Sequence, residues 1–149
     1  MSRTSSETVH ASCVAIAGRG VLIAGRSGAG KSDLALRLID RGATLVCDDY
    51  TVVRRSDERL LASAPDTIAG KLEVRGIGIL DVPCVGETEV ALILTLDDPP
   101  QRMPEEDMVR TIAGIAIPLI ALDACEPSAP IKAELALLHH GLRASENRE

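Results

Sequence analysis

The chain has 149 residues, a formal net charge of −6 and a single aromatic residue among Phe, Trp and Tyr, which is Tyr50. This length suits one domain whose core consists of Leu, Ile, Val and Ala side chains. The negative charge argues against nucleic acid or an anionic membrane as the main partner. The scarcity of rings argues against a stacking platform for single-stranded nucleic acid.

Four cysteines lie far apart without a CxxC pair, which predicts buried thiols in a reducing cytosol rather than disulfides or zinc ligands. Residues 1–8 are polar and lack the apolar core of a signal peptide. No apolar run is long enough to span a membrane. We therefore expect a cytoplasmic protein.

The first half of the chain is predicted to combine short strands with one helix. Strands are expected at residues 10–17, 21–24, 43–47 and 50–54. A helix is expected at residues 32–41, because Leu34 and Leu38 fall on one face and Gly42 is placed to end it. Residues 56–70 are expected to form a loop.

The second half is predicted to continue the sheet and to end in a helix. Further strands are expected at residues 72–74, 79–82, 89–96 and 115–122. Three prolines predict a loop at 97–104, and a short helix is expected at 105–113. A final helix capped by Ser128 is expected to bury one apolar stripe, formed by Ile131, Leu135, Leu138 and Leu142. The pattern predicts an α/β fold with a mixed sheet flanked by helices, as one domain over residues 1–144 with a frayed tail at 145–149.

Residues 25–32, here called the phosphate cradle, read Gly-Arg-Ser-Gly-Ala-Gly-Lys-Ser and fit the motif GxxxxGK(S/T) without a mismatch. They follow an apolar strand and precede an amphipathic helix, which is the context that the motif requires. Glycines let successive N–H groups point at one anion, and the helix N-terminus adds to that field. Lys31 can reach the β- and γ-phosphates of a nucleotide, and the Ser32 hydroxyl can bind Mg²⁺. Guanine specificity is disfavoured, because no NKxD motif is present and Cys84 replaces the glycine of a DxxG switch.

Two further stretches place acidic residues near the cradle. Asp48 and Asp49 end the strand after the cradle's helix, and adjacent strand residues point to opposite faces. One carboxylate could therefore lean towards Mg²⁺ and the other towards an attacking hydroxyl; the alternative is a polar turn. Alternation also puts Glu73 and Arg75 on one face, where they suit a metal–phosphate site, although a surface ion pair is the favoured interpretation from these residues alone.

Together, the cradle, the LVCDD strand end and the LEVRGIGILDV stretch resemble the C-terminal catalytic domain of the HPr kinase/phosphorylase family over about residues 10–96. The resemblance implies a P-loop nucleotide-binding fold of the phosphoenolpyruvate-carboxykinase-like type, with ATP and Mg²⁺ as cofactors. It implies phosphate transfer from ATP to a serine of the phosphocarrier protein HPr, removal of that phosphate with inorganic phosphate as acceptor, and a homo-oligomer, which is a hexamer in the family. The N-terminal domain of longer members is missing, so a short form is expected.

The resemblance also assigns roles by position. Lys31 would hold the ATP phosphates, Mg²⁺ would lie on Ser32 and Glu73, and Asp49 would take the proton from the substrate serine. The predicted catalytic residues are Asp49, Lys31, His10, Arg102 and Asp48. The predicted nucleotide-binding residues are Gly25, Arg26, Ser27, Gly28, Ala29, Gly30, Lys31, Ser32 and Arg75.

Two features depart from the family pattern. Arg26 stands where the family usually has an acidic residue, and residues 122–128 contain no basic residue where the family has a basic loop tied to dephosphorylation. Kinase activity is therefore expected in preference to phosphorylase activity. Two alternatives remain open, a kinase for a small molecule and a nucleotide-binding sensor that signals to a partner without transferring phosphate.

Overall fold

The computed structural model describes residues 6–104 and 108–143, and these residues form ten β-strands and two α-helices. The elements are β1 (Ser6–Ile16), β2 (Arg19–Ala24), α1 (Lys31–Asp40), β3 (Thr44–Cys47), β4 (Tyr50–Ser56), β5 (Arg59–Ser63), β6 (Lys71–Val74), β7 (Gly78–Asp81), β8 (Thr88–Thr95), β9 (Val109–Ile112), β10 (Ile115–Ala121) and α2 (Ala129–His140). Eight strands share one mixed sheet, and β6 and β7 form a separate hairpin. The mixed α/β fold predicted from the sequence is confirmed.

The strand pairings set the position of the cradle. β2 runs parallel to β8, and β8 runs parallel to β10, so the carboxyl ends of these three strands meet at one edge. Antiparallel pairs β1–β2, β1–β4, β4–β5 and β5–β8 close the path from β2 back to β8. Loops that follow parallel strands gather at their carboxyl edge, which is where α/β proteins form their ligand sites.

The core has two layers, one on each face of the sheet. Alternation along β2 sends Ile23 to the face covered by α1 and α2, and Leu22 to the opposite face. Leu34 and Leu38 of α1 are buried in the first layer, as the helical spacing predicts. Because both faces of β2 are buried, the strand that leads into the cradle is rigidly held.

Two predicted segments differ in the structure. Residues 56–70 were expected to be a loop, but β5 lies within them and pairs with both β4 and β8. The helix expected at 105–113 is wrong for the residues described, because residues 109–112 form β9, which pairs antiparallel with β10. β-Branched residues favour this strand, and the turn at Ala113 and Gly114, both with positive φ, returns the chain as a hairpin. Residues 105–107 and 144–149 lie outside the described residues.

The apolar stripe predicted for α2 is also wrong. Ile131, Leu135 and Leu138 are exposed, whereas Ala133 and Leu137 are buried on the opposite face of the helix. The fourth member of the predicted stripe, Leu142, lies beyond the end of α2 and packs against the core. The alanines of α2 join the core layer that includes residues of β8, and this packing overrides the stripe of larger residues. Ser128 is the N-cap residue without a side-chain hydrogen bond. Within residues 6–104 and 108–143, no helix has the length and apolar character needed to cross a bilayer.

Candidate active site

The phosphate cradle joins the carboxyl end of β2 to the first turn of α1. Gly28 and Gly30 have φ values of 84° and 104°, in the left-handed region that glycine adopts without strain. The N–H of Ala29 donates to the carbonyl of Arg26 at 3.0 Å, which closes the turn. Gly30 is the N-cap of α1, so the N–H groups of the first helical turn have no partner within the helix and are available to a ligand in the cradle. This arrangement favours a bound anion.

Lys31 lies inside the cradle with an exposed fraction of only 5%. Its Nζ donates to the carbonyl oxygens of Gly25 at 2.8 Å and Arg26 at 3.1 Å. The N–H of Arg26 in turn donates to Asp97 Oδ1 at 3.0 Å, which anchors the cradle to the end of β8. The ammonium group is thus held on neutral carbonyl oxygens, which are weaker acceptors than the charged oxygens of a phosphate.

Asp48, at the end of β3, is buried and joins three parts of the site. Its Oδ1 accepts hydrogen bonds from Ser12 Oγ at 2.8 Å and Ser32 Oγ at 2.7 Å. Its Oδ2 accepts the N–H of Glu73 at 3.1 Å, so the hairpin of β6 and β7 is tied to the same carboxylate. The hydroxyl and carboxylate oxygens of Ser32, Asp48 and Glu73 are hard donors of the kind that Mg²⁺ prefers, so the residues present fit this ion.

β3 ends at Cys47, so Asp48 and Asp49 lie in the turn that follows it and not in the strand whose alternation was expected to separate them. The Asp48 side chain is buried, whereas that of Asp49 is 49% exposed. The N–H of Tyr50 donates to the carbonyl of Asp48 at 2.8 Å, and Asp49 has a φ of 70° within this tight turn. Asp49 Oδ1 lies 3.0 Å from His10 Nε2 and 3.8 Å from Lys31 Nζ. The structure therefore brings His10, Lys31 and Asp49 together beside the cradle.

The His10 ring is held by the one aromatic residue of the chain. His10 and Tyr50 are directly opposed on β1 and β4, and their rings stack with centroids 4.9 Å apart and planes 15° apart. Cross-strand ring pairs of this kind restrict the rotation of both side chains. The stack therefore helps to direct Nε2 of His10 towards Asp49.

A cavity of about 430 Å³, here called the cradle cavity, collects most of the predicted site residues. It is lined by Ser27, Gly28, Gly30, Lys31, Ser32, Asp33, Leu36, Asp49, Glu73, Val74 and Arg75. His10, Gly25 and Arg26 line an adjoining cavity of about 470 Å³ on the other face of the sheet. Arg102 lies on an exposed bend and lines neither cavity.

Sequence analysis missed three residues that support the site. Ser12 donates to Asp48 and accepts the N–H of Asp49 at 3.0 Å, and its signal is a polar residue inside the apolar strand β1. Asp97 anchors the cradle, and its signal is an acidic residue directly after β8. Arg37 of α1 donates to the carbonyl oxygens of Ala124 and Glu126, and so holds loop 122–128 beside the cradle. No local pattern signals this last role.

Two thiols lie in the buried layer beneath the acid pair. Cys13 and Cys47 are directly opposed on β1 and β3. Burial raises the pKa of Cys47 to about 11, and burial together with the neighbouring Cys47 raises the pKa of Cys13 still further. Both thiols therefore stay neutral at physiological pH and add no charge next to Asp48.

A buried strand, a glycine-rich loop with its lysine, and a helix that begins on that loop, set in a mixed sheet, define a P-loop protein. A model of the HPr Serine kinase C-terminal domain family matches residues 2–126. The chain belongs to this family.

Similar proteins share this assignment. The HPr kinase/phosphorylase of Caldicellulosiruptor bescii is 39% identical over 128 residues, which cover 77% of this chain and 41% of that protein. The HPr kinase/phosphorylase of Bordetella avium is 38% identical over 128 residues, which cover 77% of this chain and 42% of that protein. The structure of the Hpr(Ser) kinase/phosphatase from Coxiella burnetii superposes with a TM-score of 0.77 at 34% identity, over 90% of this chain and 95% of that chain. The chain spans about two fifths of the length of the curated relatives.

Proposed function

We propose that the protein is an ATP-dependent kinase that phosphorylates a serine of the phosphocarrier protein HPr. The observation that carries this proposal is the position of Asp49, whose half-exposed carboxylate lies 3.8 Å from Lys31 Nζ in the cradle cavity. A carboxylate there can accept the proton of a hydroxyl that attacks a phosphate held in the cradle. Membership of the family supports the kinase activity, and the names of the similar proteins support HPr as the acceptor.

The cradle would bind the triphosphate of ATP through the N–H groups of residues 25–32. Lys31 would exchange its carbonyl acceptors for the β- and γ-phosphate oxygens, which form stronger, charge-assisted bonds. Mg²⁺, when bound to Ser32 and Glu73, would neutralise phosphate charge during transfer. Asp48 would orient the Ser32 hydroxyl from beneath, through the 2.7 Å hydrogen bond between them.

In the transfer step, the serine hydroxyl would attack the γ-phosphorus in line, while Asp49 takes its proton. The new oxygen–phosphorus bond forms as the bond from the γ-phosphorus to the β–γ bridging oxygen breaks, and ADP leaves. His10 and Lys31 both contact Oδ1 of Asp49, so we assign Oδ2 to the serine hydroxyl. Arg102 would have to approach from its exposed bend to stabilise the transferring group.

The test is to incubate the purified protein with HPr, ATP and Mg²⁺, and to measure phosphoserine by mass spectrometry. We expect phosphoserine with the wild type and none with Lys31→Ala. Bound ATP without phosphoserine would contradict the kinase and support a nucleotide sensor. In a parallel screen of small molecules without HPr, consumption of ATP that depends on an added small molecule would support a small-molecule kinase. Inorganic phosphate added afterwards should remove the phosphate slowly, because residues 122–128 carry no basic side chain.

We further propose that the protein acts in the cytoplasm as a homo-oligomer, a hexamer by analogy with the family, without nucleic acid or membrane as a partner. The exposed apolar side chains of α2, Ile131, Leu135 and Leu138, support burial against another subunit. Sedimentation velocity checks the assembly, and a monomer at micromolar concentration would contradict it.

A further inference from the structure

The pairing of β1 changes from β3 to β4 at the turn formed by Asp48 and Asp49. β1 pairs with β3 from Cys13 onwards and with β4 up to His10, so Ser12 lies opposite this turn. Asp49 has a φ of 70°, a conformation that costs energy for a residue other than glycine, so the turn needs support from its surroundings. Part of this support comes from a side chain, because the N–H of Asp49 donates to the hydroxyl of Ser12 at 3.0 Å.

The Ser12 hydroxyl links the two acids by hydrogen bonds that run in one direction. It is fully buried, accepts the N–H of Asp49 and donates its own proton to Asp48 Oδ1 at 2.8 Å. Asp48 Oδ1 also accepts the hydroxyl proton of Ser32 at 2.7 Å. Because a hydroxyl group can donate and accept at once, serine satisfies both acids, whereas alanine would satisfy neither. The main chain of Asp49 is thus connected through Ser12 and Asp48 to the cradle.

The two acids depend on Ser12 to different degrees. Without this hydroxyl, Asp48 would keep two of its three hydrogen-bond donors, which are Ser32 Oγ and the N–H of Glu73. The N–H of Asp49 would lose the acceptor that holds it. The side chain of Asp49 is half exposed, so its position depends on such contacts and not on close packing. The hydroxyl of Ser12 therefore matters most for the position of Asp49.

We propose that Ser12 is a positioning residue for phosphate transfer, which holds the main chain of Asp49 so that its carboxylate meets the substrate hydroxyl. This inference rests on the proposed function, in which Asp49 accepts the proton of that hydroxyl. A general base must lie within hydrogen-bond distance of the proton that it removes, and a misplacement of about 1 Å can cost about 100-fold in rate. Ser12 does not line the cradle cavity, so its loss should lower turnover and leave the binding of ATP in place.

The first experiment measures the steady-state phosphorylation of HPr by Ser12→Ala, with Thr51→Val as the matched control. Thr51 is also fully buried, and its hydroxyl donates to the carbonyl of Ala11 at 2.7 Å, so the control removes a neighbouring buried hydroxyl whose hydrogen bond goes to neither acid. Ser12→Ala should lower kcat by about tenfold and change the KM for ATP by less than about twofold. Ser12→Cys, which offers a weaker donor and acceptor, should lower kcat by a smaller factor. Thr51→Val should keep the wild-type kcat and KM.

A second measurement detects the hydrogen bond itself, without nucleotide. Hydrogen exchange of the Asp49 amide, followed by NMR, should be at least about tenfold faster in Ser12→Ala than in the wild type, and unchanged in Thr51→Val. A third measurement adds Ser12→Ala to Asp49→Asn, which has no base to position. There the added substitution should lower the remaining kcat by less than about twofold.

Four outcomes would overturn the positioning role and leave the proposed kinase intact. They are a wild-type kcat in Ser12→Ala, an equal fall of kcat in Thr51→Val, wild-type exchange of the Asp49 amide in Ser12→Ala, and a full tenfold fall when Ser12→Ala is added to Asp49→Asn. The second outcome would show a general loss of packing, and the last would show that Ser12 acts through another group. Absence of phosphoserine with the wild type would overturn the proposed function together with this inference.

Discussion

Two cavities lie at opposite ends of β2 and β8, and both are lined by charged side chains. The two cavities differ in the hydrogen-bond partners of these side chains. The cradle cavity lies beyond the carboxyl ends of these strands, and a larger cavity of about 740 Å³, here called the arginine cavity, lies at their amino ends. Its lining includes Arg19, Arg54, Arg59, Arg143, Glu87 and Glu89. Arg54 forms a bidentate pair with Glu87 at 2.5 and 2.8 Å, and Arg19 Nε donates to the carbonyl of Leu142 at 3.1 Å.

The two cavities differ in how their charged groups are paired, and we use this difference to predict which of them takes part in phosphate transfer. Arg54 already has a carboxylate partner, so an incoming anion would have to break an ion pair to bind it. Lys31 also lies 3.8 Å from a carboxylate, that of Asp49, but its hydrogen bonds go to the neutral carbonyl oxygens of Gly25 and Arg26. A phosphate can therefore replace these acceptors without breaking a charged hydrogen bond. We therefore expect substitutions in the cradle cavity to change phosphate transfer, and substitutions in the arginine cavity to change stability.

The largest expected effect is the loss of transfer in Asp49→Asn. The amide cannot accept the proton of the substrate serine, and general bases contribute at least about 100-fold to a rate. We expect kcat for HPr phosphorylation to fall by at least about 100-fold, with a thermal midpoint near that of the wild type, because the side chain is exposed and asparagine tolerates positive φ.

Asp57→Asn is the matched control for this prediction. Asp57 is an exposed aspartate with a φ of 55°, in the turn between β4 and β5, so the substitution tests the same backbone conformation outside the cradle cavity. Its kcat should equal that of the wild type. Near-normal phosphate transfer by Asp49→Asn would refute the assignment of Asp49 as the general base.

Asp48→Asn should lower both phosphate transfer and stability. The substitution of its exposed neighbour, Asp49→Asn, should lower transfer alone. The amide NH₂ would face Ser12 Oγ, Ser32 Oγ or the N–H of Glu73, which are all donors to Asp48 at present. An unsatisfied buried polar group costs roughly 1–3 kcal/mol. We expect a free energy of unfolding lower by that amount in urea, and weaker transfer at limiting Mg²⁺. Wild-type stability in this variant would contradict the joining role of Asp48.

The extent to which the sequence predicted this site depends on how local each signal is. The cradle could be predicted because its motif, strand and helix are contiguous in sequence. The fold class was readable for the same reason. The different environments of Asp48 and Asp49 come from the turn after β3, in which Asp49 has a φ of 70°, and not from the period of a strand. The roles of the site residues remain predictions, which the experiments above test.

Features set by contacts distant in sequence were not readable. Residues 59–63 became a strand because β4 and β8 pair with it, and residues 109–112 because β10 does. On α2, the larger residues predicted the wrong face, because close packing selected the alanines. Arg37 bonds the carbonyl oxygens of Ala124 and Glu126 in loop 122–128, which lie 87 and 89 positions away in sequence. The pattern of a helix does not predict such a contact.

A smaller effect is expected in the arginine cavity. The hydrogen bond from Arg54 lowers the pKa of Glu87 below its value in the unfolded chain, so the pair stabilises the fold above that unfolded value, and the benefit is lost as pH falls through the lowered pKa. Because both side chains are partly exposed and water screens the pair, Arg54→Gln should lower the free energy of unfolding only slightly at pH 7. In urea titrations this cost should shrink as pH falls through the lowered pKa of Glu87, and kcat should stay close to that of the wild type.

Arg19→Gln is the control, because Arg19 lines the same cavity and its Nε and Nη2 donate to the carbonyl oxygen of Leu142, which does not titrate. Its effect on stability should vary less with pH. A large loss of phosphate transfer in Arg54→Gln would break the contrast between the two cavities, since it would give the arginine cavity a part in the reaction.

The smallest expected effect concerns the layer beneath the acid pair. Sequence analysis predicted buried thiols, which holds for Cys13 and Cys47 but is wrong for Cys84 and Cys125, which are exposed. A thiol reagent at pH 8 should therefore modify Cys84 and Cys125 quickly, and the other two only on unfolding. Rapid modification of Cys47 in the folded protein would show that the support of Asp48 opens readily.

The raised pKa of Cys47 also predicts how the stability of the protein changes at alkaline pH. In the unfolded chain the thiol has a pKa of about 8.5, whereas burial raises the pKa of Cys47 in the folded protein to about 11. Stability from the neutral thiol is complete below the unfolded value and is lost as pH rises towards about 11. The urea midpoint of Cys47→Ala should therefore fall less between pH 7.5 and 10 than that of the wild type, and Cys84→Ala should follow the wild type. If the urea midpoints of Cys47→Ala and Cys84→Ala fell equally between pH 7.5 and 10, water would reach Cys47 in the folded protein. The layer beneath Asp48 would then not be the closed, rigid support that sets Asp48 apart from the exposed Asp49.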